Sequence, residues 1–193
     1  MPNVGLKSAK YNTVDPSTNK YSTISEGSVP MIKRIIDEKF APEFNSAELY
    51  ADDTIAESDY SFKKGTLTIT VADDDPTVEA ALLGYIVSTT ETKKSINDNA
   101  PYVGYGHIIT KLLNGVKSYK VEFFPKVKFS KNTTDNKTRG ESVDFATTVY
   151  EGTVFAADPA INGITAGTWE IHQTFETESE AITYLDTCLS PST

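Results

Sequence analysis

Cysteine is almost missing from this chain: among 193 residues there is one, Cys188. That excludes an intrachain disulfide and a cysteine-rich metal centre. Histidine is nearly as scarce, with only His107 and His172 to serve an imidazole-based site. No apolar run approaches the ~20 residues of a membrane span. Basic residues are the minority, 18 against 27 acidic ones, for a net charge of -9. A surface of that sign repels phosphate backbones, which argues against a nucleic-acid clamp held by counterion release. It leaves open a surface that DNA passes without sticking. The opening Met1-Pro2-Asn3-Val4-Gly5-Leu6-Lys7 lacks the apolar core of a signal peptide. The expectation is a soluble protein made in a cytoplasm.

What is present points to sheet. With 38% hydrophobic and 23% charged residues the composition is that of an ordinary globular chain, long enough for one well-cored domain. Thr, Val, Tyr, Phe and Ile recur in short runs separated by turn formers. Residues 1–28 are polar, with a turn signal at Val14-Asp15-Pro16-Ser17, and read as an extended arm or loop ordered by contact with something else, or equally as a disordered terminus. Val29 to Phe40 suits a strand better than a helix, and Ala47 to Tyr50 is a second short run. Thr66 to Val71 alternates strictly, with Leu67, Ile69 and Val71 on one face. Asp75-Pro76 then caps a short helix over 76–83 that Gly84 stops. A lysine-containing stretch over 88–100 reads as a protruding loop.

The clearest signal is a long hairpin around Asn114-Gly115, because a type I′ turn needs positive φ at both positions. Its strands run from Tyr102 to Leu113 and from Val116 to Phe129. In the second, Tyr119, Val121, Phe123, Val127 and Phe129 are expected on one face, with Lys120, Glu122, Lys126 and Lys128 on the other. Pro125 cannot donate to a ladder, so it marks an edge or a bulge. A polar loop over 130–140 follows, then strands near 141–150, 152–157 and 167–175, the last with Trp169, Ile171 and Phe175 together. Thr177 and Glu180 form a capping box for a helix over 177–189 with Ala181, Ile182, Leu185, Cys188 and Leu189 inward. The fold class is mainly β, a β-sandwich or barrel with one or two short flanking helices.

Catalytic patterns are missing. No Gly-x-Ser-x-Gly, His-Glu-x-x-His or phosphate loop occurs, and Gly104-Tyr105-Gly106 reads as close packing within a strand. His172 falls on a polar face with Glu170 and Thr174. His107, beside Tyr105 and Ile109, reads as a partly buried, hydrogen-bonded group. Asp73-Asp74-Asp75 could bind a hard cation but serves equally as a helix cap. Cys188 reads as a core thiol. No catalytic residue, cofactor or metal site is expected.

Several stretches, in order along the chain, resemble one family. They are Gly5-Leu6-Lys7-Ser8-Ala9-Lys10-Tyr11, Ala47-Glu48-Leu49-Tyr50-Ala51-Asp52-Asp53 with Ala56-Glu57-Ser58, and Lys64-Gly65-Thr66-Leu67-Thr68-Ile69-Thr70-Val71. Further on come Asn99-Ala100-Pro101-Tyr102-Val103-Gly104-Tyr105-Gly106, Tyr119 through Phe129, and Glu151-Gly152-Thr153-Val154-Phe155. The set resembles the major tail protein of long-tailed, non-contractile siphophages infecting Gram-positive bacteria. The resemblance implies a single tail tube domain whose copies form hexameric rings that stack into a tube. It also implies a virion location and passage of double-stranded DNA without specific binding. Implied partners are other copies, a tape-measure protein, and tail terminator and distal tail proteins. The alternative is a virion-surface β-sandwich module binding carbohydrate or a receptor. A hydrolase is a third reading, which would need a reactive dyad. Asn114, Gly115, Lys120, Glu122, Lys126 and Lys128 are the candidate positions facing the lumen or a neighbour.

Overall fold

The computed structural model describes residues 2–24, 28–51, 54–73, 75–88, 91–134 and 147–192. Ten strands and two helices follow one another there: β1 (Asn3–Asp15), β2 (Lys20–Tyr21), β3 (Ile35–Ala51), β4 (Thr54–Val71), α1 (Pro76–Leu83), β5 (Ile86–Val87), β6 (Thr92–Lys93), β7 (Tyr102–Leu113), β8 (Val116–Thr134), β9 (Thr148–Val154), β10 (Ile171–Phe175) and α2 (Glu178–Leu189). The chain is mainly β. One antiparallel sheet runs β2-β1-β7-β8-β9-β4-β3, and β10 joins it on the first half of β8. Just ahead of β3, the Ile32 amide donates to the Ala9 carbonyl and the Tyr11 amide to that of Pro30. This bonds the chain at the start of β3 back to β1 and curls the sheet into a barrel.

Two cores lie on opposite faces of that sheet. Inside the barrel are Leu67, Ile69 and Val71 of β4, Val103 and Tyr105 of β7, Phe124, Val127 and Phe129 of β8, and Val78, Leu82 and Leu83 of α1. Outside it, Ile108, Val121 and Phe123 pack against Ala181, Leu185 and Leu189 of α2. Both helices begin as expected: Asp75 accepts from the Thr77 amide and Thr177 from that of Glu180. Gly84 closes α1 in the left-handed region at φ 77°.

One strand serves both cores by breaking its alternation. Tyr105 pairs with Phe124 and Val103 with Val127, so two residues of β8 face the single Gly104. This is a β-bulge at Pro125. Before it, odd-numbered residues of β8 face α2; after it, they face the barrel interior. The common face expected for Tyr119 through Phe129 is therefore corrected. The bulge frees a carbonyl, and the buried Tyr21 hydroxyl donates to it, Oη to Pro125 O at 3.0 Å. Gly104 is what admits that ring, since a Cβ there would lie 2.6 Å from it. Gly106 likewise admits Leu185, so both glycines of Gly104-Tyr105-Gly106 are packing positions.

Other expectations are corrected as well. Residues 3–15 are not an arm but a strand beside β7, with Ala9, Tyr11 and Val14 buried. The runs read as separate, Val29–Phe40, Ala47–Tyr50 and Thr66–Val71, belong from Ile35 onward to a single long hairpin of β3 and β4, and residues 29–34 precede it. The 130–140 loop begins later than expected, because β8 continues to Thr134; residues 135–146 lie outside those described. Strands expected at 141–150 and 152–157 are one strand, β9. Trp169 does not share a face with Ile171 and Phe175, which join the α2 core while Trp169 stacks on Phe62.

Replacing Tyr21 with Phe should therefore destabilise the domain by about 1–3 kcal/mol, the cost of a buried carbonyl left without a donor. Urea unfolding followed by Trp169 fluorescence measures it, and an unchanged midpoint would mean that water replaces the phenol.

Candidate functional site

Where β1, β3, β7 and β8 come together in the closed sheet, an open cleft of about 580 Å3 forms. Its walls carry Leu6, Ile36, Phe40, Ile109 and Trp169, and four carboxylates: Asp37, Glu38, Glu122 and Glu170. Alternation along β7 and β8 puts His107 directly opposite Glu122. The imidazole Nε2 lies 3.4 Å from Glu122 Oε2, and Nδ1 lies 3.0 Å from Glu38 Oε1. The Nδ1 contact is close but off the line that a hydrogen bond requires, so it is an electrostatic contact. Lys120 Nζ sits 2.5 Å from the other oxygen of Glu122. Tyr105, buried under the cleft floor, donates its hydroxyl to Glu38 Oε2 at 2.6 Å.

The two central carboxylates are tuned in opposite directions. Glu122 is brought down to about 2 by the hydrogen bond from His107, with Lys120 adding to it against the cost of burial. Burial raises Glu38, and the nearby histidine and the Tyr105 hydroxyl only partly offset that. Burial also raises Glu170, aided by the charge of Glu122. Tyr105 is held well above its ordinary value by burial and by Glu38, which keeps it a donor. The cleft is thus short of positive charge on the side of Glu38 and Glu170.

An aromatic stack closes the cleft at the root of the β3–β4 hairpin. Trp169 lies flat on Phe62, with centroids 4.4 Å apart and planes at 7°. It also stacks on Phe40, whose ring packs against Phe124 at 4.7 Å. Phe40 can reach there because Gly65, its diagonal neighbour on β4, has no side chain in the way.

The positions singled out by sequence separate into three groups. Asn114 and Gly115 form the expected turn, with φ of 50° and 82°. Lys120 and Glu122 belong to the cleft. Lys126 and Lys128 do not: beyond the bulge they lie on the opposite face, with Nζ atoms 4.8 and 5.6 Å from the centre of the Tyr102 ring. There Lys126 donates to the Asp158 carbonyl and Lys128 to Asn99 Oδ1. His172 is exposed near Glu170, as its strand position suggested. Sequence reasoning did not single out Glu38, and placed Glu170 only on a polar face beside His172, not in a site. Among the described residues no three ligating side chains converge as a metal site would require. Glu38 and Glu122 approach opposite nitrogens of His107, so the three do not share a centre. Asp73 pairs with Arg34 and Asp75 caps α1, so the two described members of the acidic run are spoken for.

The folded value of Glu122 lies below its ordinary 4.5, so the stability it contributes is present above pH 4.5 and lost as the pH falls towards 2. Glu122→Gln should remove this contribution, giving a lower melting temperature at neutral pH and a flatter acid limb over that range. A calorimetric pH series for both proteins checks it; parallel acid limbs would refute the assignment.

No protein-family model matches this chain, and no curated protein shows a significant similarity to it.

Proposed function

We propose that this chain is a structural subunit of a phage tail tube, whose copies join into rings, six to a ring by resemblance, that stack around a DNA channel. The observation that carries the reading is the β3–β4 hairpin. β4 is flanked by β9 from Gly65 onward, so among the described residues Phe44 to Ala51 and Thr54 to Lys64 have no strand partner but each other. Such a ribbon extends about 25 Å beyond its last sheet neighbour at the usual rise per residue. A two-stranded ribbon is marginal in water on its own. Phe44 and Tyr60 sit exposed on it. A lone domain gains nothing from this extension, whereas a copy in an assembly can lay it against the next.

The charge agrees. A net -9 suits a channel wall along which DNA slides, because attraction would retard it. Many weak identical contacts sum along a tube, so no single contact has to be strong. In this reading the further partners are tape-measure, terminator and distal tail proteins, the location is the virion tail, and the chain is not an enzyme. No described helix is long and apolar enough to cross a membrane. A surface module binding carbohydrate is the second reading, favoured by the exposed Phe44 and Tyr60.

Concentrated protein should form rings or tubes in negative-stain micrographs. A variant with residues 47–58 replaced by Asn-Gly should keep its melting temperature yet remain monomeric in sedimentation velocity. A wild-type protein that stays monomeric at every concentration and binds a glycan on an array would overturn the tube reading in favour of the module.

A further inference from the structure

We infer that the acidic cleft receives the Asn114-Gly115 hairpin tip of a second copy, a contact that rests on the self-assembly reading and gives it an address. The cleft side of the argument is chemical. Four carboxylates line it, beside the Lys120 ammonium and the His107 ring. Lys120 is already engaged by Glu122, and Asp37 has no ion pair among the described residues. Burial raises both Glu38 and Glu170 from their ordinary value. A cation arriving there relieves that cost. Leu6, Ile36, Phe40, Ile109 and Trp169 supply apolar walls, so the fitting occupant is both basic and apolar.

The hairpin tip has that chemistry. From Lys111 to Ser118 the sequence is Lys-Leu-Leu-Asn-Gly-Val-Lys-Ser, with two lysines and no carboxylate in a chain of net charge -9. Leu113 and Val116 flank the turn with 45% and 66% of their surface exposed. No ion pair among the described residues engages Lys111 or Lys117. A two-residue turn makes the tip narrow and convex, a shape that enters a cleft.

The occupant must come from another copy. The cleft is bordered by Ile109, and Asn3 at its rim pairs with Lys111, so the tip begins where the cleft ends. It then runs on along the strand axis, in register from Thr110–Tyr119 to Leu113–Val116, and cannot fold back. Tip into cleft joins two different surfaces. Such head-to-tail contacts close into rings when the rotation allows, and otherwise continue as filaments.

Charge reversal tests this with the full chain. Lys111→Glu with Lys117→Glu, and separately Asp37→Lys with Glu170→Lys, should each raise the concentration for half-assembly by about tenfold or more, read by sedimentation velocity. All four changes in one chain should restore assembly. If wild type assembles and neither reversal shifts it, the inference fails while the assembly reading stands; if wild type never assembles, both fall. Should a reversal variant not fold, cross-linking decides. Chains carrying Leu113→Cys are mixed with chains carrying Ile36→Cys, both with Cys188→Ser, and oxidised. A mixed disulfide dimer is expected, and its absence overturns the inference.

Discussion

Side chains on a β-strand alternate between two faces, so a strand that feeds cores on both faces of one sheet must break its own alternation. β8 does this once, between Phe124 and Val127, and nearly everything else in the molecule follows from that break. Upstream of it, Val121 and Phe123 give α2 its seat; downstream, Val127 and Phe129 fill the barrel. The extra residue leaves a carbonyl that the ladder cannot satisfy, and Tyr21 is brought across Gly104 to satisfy it. Proline is suited to the position because it has no amide to lose. The same break sends Lys120 and Glu122 into one site and Lys126 and Lys128 into another.

The cleft shows how a fold holds charge at low exposure. His107 is placed between carboxylates from two strands that are far apart in sequence, and a buried phenol steadies one of them. Removing a partner from such a group costs more than the group contributes when complete, since the charge left behind has lost both water and counter-charge. The network therefore ties the β3 edge to the β7–β8 hairpin more specifically than apolar contact could. At the cleft rim, Asp37 and Glu170 are less completely matched, which is where chemistry addressed to another molecule would sit.

What was legible in the sequence was local. The Asn-Gly turn, the strict alternation from Thr66 to Val71, the Asp-Pro start of α1 and the Thr177 cap of α2 each announce themselves within a few residues. β1 did not, because its ladder shifts register between Lys7 and Lys10, with Ser8 at a positive φ of 51°, and the interruption hides its alternation. The distal β3–β4 hairpin was hidden for a different reason: no neighbouring strand among the described residues covers it, so no apolar pattern was required. Pro125 was visible as an irregularity, but which residues its bulge would turn over could be read only from the register. The cleft had no sequence signal at all. Glu38, His107 and Glu122 come from three separate strands and Glu170 from the segment before β10, and nothing in their spacing announces a meeting.

Closure of the barrel has a consequence for the order of events in time. β1 pairs with residues 103–111, and the segment before β3 pairs back onto β1. The β1–β7 pairing therefore cannot be made until the middle of the chain exists, whereas the contact of β1 with the segment before β3 is local and the β7–β8 hairpin needs only its own turn. Non-local pairing of this kind makes folding slow compared with helical proteins of similar size. During synthesis the first strand emerges roughly a hundred residues before its partner. Until then the edge of β1 that β7 will pair is open, and the polar residues that alternate along it favour its staying in solution.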